Sequence, residues 1–273
     1  MKRFFLTLCL LCAAISGFGQ KYDLHYNLKK KQTYRNSTTM AIDFMTKVMD
    51  NEMTANITSL TTASYLVKNA KKDAYTLDVV YDESQVKVNS PMSPNTAAAQ
   101  EPLKPLVGKH LTVEMDKYGN ILSIKGLDEA LESQSAQSRQ MLTNSVTASL
   151  AQMSFLPDYP VAVGDTWTQK YDLQMPQMPL SCTINARLKA VENGEAIITL
   201  SATLAGNTPD ELKSKGVTAD ISGSISGEVR LDLKTGWQKN CEMETVANIT
   251  MKADKFTAPM SLKMKTVSTG GRK

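Results

Sequence analysis

Apolar and polar residues alternate with a period of two along most of this chain. Met40, Ile42 and Phe44 share one face ahead of the turn residues Asp50 and Asn51, and Tyr75, Leu77, Val79 and Tyr81 share another opposite Thr76 and Asp78. In the second half Ala196, Ile198, Leu200 and Leu204 alternate with Thr199, Ser201 and Thr203, and Met260, Leu262 and Met264 alternate with Ser261, Lys263 and Lys265. This spacing places successive apolar side chains on one face of a pleated strand and predicts half-buried antiparallel strands. "DKYGN" at 116–120, "ENG" at 192–194 and "KTG" at 234–236 supply turns between them.

Two kinds of stretch break the alternation. Residues 128–153 contain no Gly or Pro, and Leu131, Leu142, Val146, Leu150 and Met153 fall at helical spacings, which predicts a helix over 128–154 that starts after Gly126 and ends before Pro157. Its middle, "SQSAQSRQ", is polar, so a break or an exposed section is expected there. Such a helix either lies across the mouth or concave face of the sheets or serves as a connector with one face in the core. The second kind is "SPMSPNTAAAQEPLKP" at 90–105, where four prolines exclude central-strand pairing and predict a long surface loop, with an irregular counterpart at 207–216.

The strand-forming stretches recur in the same order. Thr33 and Tyr34 match Thr166 and Trp167. Tyr65, Val67, Tyr75, Leu77, Val79 and Tyr81 match Leu188, Ala190, Ile198, Leu200, Ala202 and Leu204 at one constant offset. Leu111, Val113, Met115 and Gly119 match Val229, Leu231, Leu233 and Gly236. The expected fold class is therefore mainly β: two tandem related, curved antiparallel sheets, half-barrel-like, with one intervening α-helix. The expected boundaries are a leader at 1–19, a first β repeat at 20–127, the connecting helix at 128–154, a second β repeat at 155–268 and a tail at 269–273.

The N-terminus sets the expected compartment. Lys2 and Arg3 precede an apolar run at 4–15, and the small residues Gly17 and Gly19 stand just before Gln20, the pattern of a secretory signal peptide. The run is too short to span a bilayer, and no later segment is of transmembrane length, so the exported chain is expected to start at Gln20 and to be periplasmic, with an extracellular location as the alternative. Of the formal charge of +4, two units belong to the leader, and the near-neutral remainder calls for no nucleic-acid partner. Outside the leader the cysteines are Cys182 and Cys241, each on the apolar side of an alternating stretch. Two readings are open: a disulfide, which an oxidising compartment favours and which would add about 4 kcal/mol in the chain-entropy model, or two buried thiols acting as small hydrophobes.

Candidate chemistry is sparse. His25 and His110 are isolated, with no zinc-ligand spacing, and there is no GxSxG elbow, phosphate loop or GxGxxG. Acidic pairs such as Asp82 with Glu83 and Glu242 with Glu244 read as surface residues rather than a glycosidase pair. "MPQMP" at 175–179 raises Cu(I) ligation, but the other methionines, such as Met40, Met115, Met243 and Met251, take apolar strand positions as core fillers. No catalytic, cofactor-binding or metal-binding residue is expected, and no enzyme.

The order of "KKQTYR", "GKHLTVEMDKYGNILSIKGLDE", "FLPDYPVAVGDTWTQ" and "GEVRLDLKTGWQ" resembles a family of exported Bacteroidota proteins designated domain of unknown function 6263. The resemblance spans nearly all of the chain after the leader. Its most specific part is V-x-V-G-D-T-W at 161–167, with the strand pair "LTVEMDKYGNILSIKG". Where that family tends to have glycine before "QTY", this chain has Lys31. The resemblance implies location and architecture, and brings no catalytic residues.

Two functions follow as expectations. The first is a non-catalytic binding or carrier module for an apolar small molecule or lipid, held in a groove lined by Tyr75, Leu77, Val79, Ile198, Leu200 and Leu204. The alternative is a structural or interaction module of the cell envelope, with a filled core and another envelope protein as partner.

Overall fold

Eleven antiparallel strands form one continuous sheet in the computed structural model, which describes residues 19–273 apart from 49–50, 91–102, 152, 176–177, 207, 209–212, 215 and 254–255. The leader and most of the proline-rich stretch therefore lie outside the described residues. In chain order the first half comprises β1 (Lys21–Tyr22), β2 (Thr33–Val48), β3 (Asn51–Ala70), β4 (Ala74–Asn89), β5 (His110–Asp116) and β6 (Ile121–Lys125). The helices α1 (Leu127–Ala130) and α2 (Ala136–Ala151) follow. The second half comprises β7 (Val161–Ala162), β8 (Thr166–Met175), β9 (Met178–Glu192), β10 (Glu195–Gly206), β11 (Val217–Asp232), β12 (Gln238–Ala253) and β13 (Phe256–Arg272). The sheet order is β6-β5-β4-β3-β2-β13-β12-β11-β10-β9-β8, and β1 pairs with β7 in a separate two-stranded sheet.

The expectation of two sheets is corrected by the pairing of β2 with β13, which runs from Tyr34↔Arg272 to Thr46↔Met260 and joins the halves through their terminal strands. Both strands would otherwise present open ladders, and each satisfies the other's backbone groups. The same pairing corrects the expected tail at 269–273, since Thr269, Gly270, Gly271 and Arg272 pair with Ser37, Asn36, Arg35 and Tyr34.

A flat sheet of eleven strands would be about 50 Å across at the usual interstrand spacing. Ser154 nevertheless hydrogen-bonds both edges. Its hydroxyl donates to Asn120 Oδ1, next to β6, and accepts from Gln169 Nε2 in β8 at 3.3 Å. One side chain reaches both edges only if the sheet curls back on itself at that end. Bulges at Thr62/Ala63, Ile197/Ile198 and Arg230/Leu231 add the local twist that such curling needs.

The curled end is plugged. The N-terminal segment buries Leu24, Tyr26 and Leu28, its Tyr26 N–H donates to Lys117 O at 2.7 Å, and its Asn27 N–H donates to Thr235 O at 2.9 Å. The segment is thus held by the β5–β6 turn and the β11–β12 turn together. Trp167 Nε1 donates to Phe155 O at 2.7 Å and ties β8 to the segment after α2. The helical stretch breaks in its polar middle, and α2 restarts with Ser135 Oγ accepting the Ser138 N–H at 3.2 Å, an N-cap bond. Leu131, Leu142, Val146, Leu150 and Met153 are all buried.

The strands of the matching stretches do not pair at the constant offset read from the sequence. Val79 pairs with both Tyr65 and Leu111, and Ile198 pairs with both Leu188 and Val229. Val79, not Tyr75, therefore holds the place in its row that Ile198 holds in the other.

Lys31 stands in a left-handed turn at φ 69°, where a Cβ is strained. The turn is nonetheless required: Lys31 N–H donates to Val67 O at 2.8 Å and Gln32 N–H to Lys29 O at 3.1 Å. Lys31→Gly is expected to stabilise the fold by about 0.5–1 kcal/mol, relief of strain outweighing the greater freedom of glycine when unfolded. Chemical denaturation measures it, and a destabilised variant would show that the lysine side chain makes a compensating contact.

Candidate functional site

The inner face of the curled sheet changes character along its strands. Near the plug it is packed, and further out it opens into a cavity of about 1090 Å³ between β2, β3, β4 and helix α2, with Trp237, Gln238 and Ser268 on its far side. Strand alternation builds the wall. On β2 the even positions from Tyr34 to Ile42 face inward, and on β3 the odd positions from Ile57 to Tyr65 do so, meeting as Tyr34↔Tyr65, Thr38↔Thr61 and Ile42↔Ile57. Met40, Ile42, Ile57 and Val86 are only half-buried although they point inward, since among the described residues they line the cavity.

The floor is aromatic. Trp237 is stacked on Tyr34 at 4.5 Å and meets Tyr65 and Tyr26 edge-on at 5.2 and 6.1 Å, and its indole N–H donates to Asn36 Oδ1 at 2.8 Å. Burial pushes the Tyr26, Tyr65 and Tyr81 hydroxyls above the ordinary phenol range, so they stay neutral. Ser149 of α2 stands beside the Tyr81 hydroxyl and partly offsets that rise, and both residues line the cavity. Above the floor, Thr38 Oγ1 donates to Ser268 Oγ and Gln238 Nε2 donates to the same oxygen, each at 3.0 Å.

A second, smaller cavity of about 360 Å³ lies on the other side of Trp237 and Tyr34, rimmed by Lys29, Lys234, Lys239 and Arg272. Asp232 there is committed to its own turn, accepting the N–H groups of Lys234 and Thr235 at 2.9 Å.

The outer face carries the charge. Arg35 pairs with Asp82 at 3.3 Å, Lys189 with Glu228 at 2.8 Å and Lys239 with Glu195, each pair reaching over one intervening strand. Asp78, His110 and Lys68 form a cluster on this face, with His110 Nδ1 2.9 Å from Asp78 Oδ1 and Lys68 Nζ 3.5 Å from Asp78 Oδ2. It braces β3, β4 and β5 and does not reach the cavity. An apolar interior under a charged exterior is the inverse of a membrane-spanning barrel, whose outer band is apolar. Among the described residues no helix is long and apolar enough to cross a membrane, and no group of three or more His, Cys, Asp or Glu is placed to hold a metal ion.

The residues expected to line a groove all belong to inward-facing rows, but they do not line this cavity. Tyr75, Leu77, Val79 and Ile198 are buried in the packed core, Leu200 packs against that core, and Leu204 is half-buried further along β10. Apart from Leu204, they lie where the interior is filled. The lining that the groove assignment missed, Met40, Ile42, Ile57 and Val86, had a signal in the alternation of β2, yet depth along a strand has none.

The disulfide is also corrected. Cys241 is a free, buried thiol whose pKa burial pushes up to about 11. Cys182 lies in β9, three strands from β12, since Leu204 pairs with Cys182 and Gly223, and Gly223 with Ala247. Three interstrand spacings amount to about 14 Å, twice the reach of a disulfide, about 7 Å between Cα atoms.

Among solved structures the chain is similar to lipovitellin, described for its lipid–protein interactions, with 9% identity and a TM-score of 0.50 over 90% of this chain. The chain spans 26% of the lipovitellin chain. An outer membrane channel from Pseudomonas putida F1 aligns with 90% of this chain and 97% of its own at 8% identity, with a TM-score of 0.25. No curated protein matches the sequence. The chain belongs to the family of unknown function DUF6263, whose model matches residues 72–238.

Proposed function

We propose that this protein is a non-catalytic binding or carrier module that takes up an apolar ligand, such as a lipid or acyl chain, after export to the periplasm and removal of residues 1–19. The observation that carries the reading is the half-buried inner wall of Met40, Ile42, Ile57 and Val86 facing a cavity of about 1090 Å³. Apolar side chains that point inward yet stay half-exposed gain free energy from any apolar molecule that removes them from water, about 25 cal/mol per Å² covered. The fold shared with lipovitellin supports the reading at the level of architecture alone. A tandem relation of the two halves belongs to the same proposal. Its support is that Gly119 and Gly236 occupy left-handed turns at corresponding places, both pressed against Tyr26.

The test is titration with a fluorescent long-chain probe, together with extraction of natively purified protein. Saturable binding is expected, and Ile42→Asp, which puts a carboxylate on the wall, is expected to weaken it at least about tenfold. Absence of both co-purifying lipid and saturable binding would favour a structural or interaction module of the envelope.

A further inference from the structure

Resting on that carrier reading, we infer that the ligand is an amphiphile with an uncharged, hydrogen-bonding head, seated head-down against the floor with its hydrocarbon directed to the open end. Polarity along the wall carries this inference. Successive inward positions of β2 read Asn36, Thr38, Met40, Ile42, so amide and hydroxyl give way to thioether and hydrocarbon within four steps. The neighbouring strands turn apolar one step later, with Ser59 of β3 and Thr266 of β13 beside Met40. Thr61 faces Thr38 and Ile57 faces Ile42 on β3, while Ser268 faces Thr38 and Met264 faces Ile42 on β13. The gradient is therefore a property of three adjacent strands and not of one residue.

Just above the aromatic floor the lining is polar without being charged. Asn36, Thr38, Gln238 and Ser268 offer an amide or hydroxyl to the cavity, and the only charged side chain among the described lining residues is Lys104, an exposed residue of a short turn at the side. A carboxylate or phosphate seated among Asn36, Thr38, Gln238 and Ser268 would lose its hydration to four residues that carry no charge. An ester, hydroxyl or amide meets donors and acceptors of its own kind and loses little. The chemical class is therefore a neutral acyl ester, long-chain alcohol or amide.

Comparing lauroyl monoglyceride, laurate and dodecane below their aggregation concentrations tests this with equal chains and different heads. The monoglyceride is expected to bind at least about tenfold more tightly than laurate at neutral pH, with laurate gaining affinity as pH falls through the carboxylate range, about 4–5. Thr38→Val with Gln238→Leu is expected to reduce monoglyceride affinity several-fold and leave dodecane unchanged. Laurate binding as tightly as the monoglyceride, independent of pH and lost in Lys104→Ala, would overturn the neutral head while leaving the carrier reading intact. Failure of all three molecules to bind would overturn both. The ligand comparison uses the unaltered protein, so it decides the matter even if the double variant does not fold.

Discussion

Trp237→Ala is expected to destabilise the protein by about 3–5 kcal/mol, the range for deleting a buried aromatic side chain. Trp237 is 2% exposed and is the centre of a cluster with Tyr26, Tyr34 and Tyr65. These four residues come from the plug, β2, β3 and the β11–β12 turn, so the indole joins both halves of the sheet to the N-terminal segment. The substitution also leaves Asn36 Oδ1 without the donor it has at 2.8 Å. Trp237→Phe keeps the ring packing and loses that bond, so its expected cost is about 1–2 kcal/mol. Equilibrium denaturation of the two variants separates the contributions. Similar costs for both would mean that the hydrogen bond, and not the ring cluster, holds this end together.

Gly236→Ala is expected to cost about 3–4 kcal/mol. Its φ of +69° is strained for any residue with a Cβ, and the added carbon would stand 2.2 Å from His25 O and 2.8 Å from Tyr26 Cα. Both neighbours are backbone, so relief requires the plug to withdraw and the bond from Asn27 N–H to Thr235 O to stretch. Gly194→Ala is the control: its φ is +77°, but nothing lies within 4 Å of the new Cβ. That variant bears the conformational strain alone, about 1–2 kcal/mol. Equal denaturation midpoints for the two would show that the plug does not seat against the turn. Faster proteolysis near residue 25 in Gly236→Ala would show the plug leaving first.

Much of the architecture was legible in one dimension. The strands around Tyr75, Ile198 and Met264 were readable because a half-buried strand must alternate, and alternation is local. Leu142, Val146 and Leu150 marked the helix for the same reason, with its break at the polar middle.

What stayed illegible was non-local. Alternation says which face of a strand Cys182 and Cys241 take, and nothing about how many strands separate them; the pairings through β10 and β11 decide that. It says that Tyr75 and Ile42 both face inward, and nothing about which of them the plug covers. The single sheet arises from β2 meeting β13 across nearly the whole chain, an encounter no local pattern encodes. The sequence by itself determined the strand faces, the turns and the helix stripe, because each depends on neighbours within a few residues. Tertiary structure alone decided the continuity of the sheet, the curl recorded by Ser154, the filled end and the open cavity, because these depend on which distant surfaces exclude water from one another.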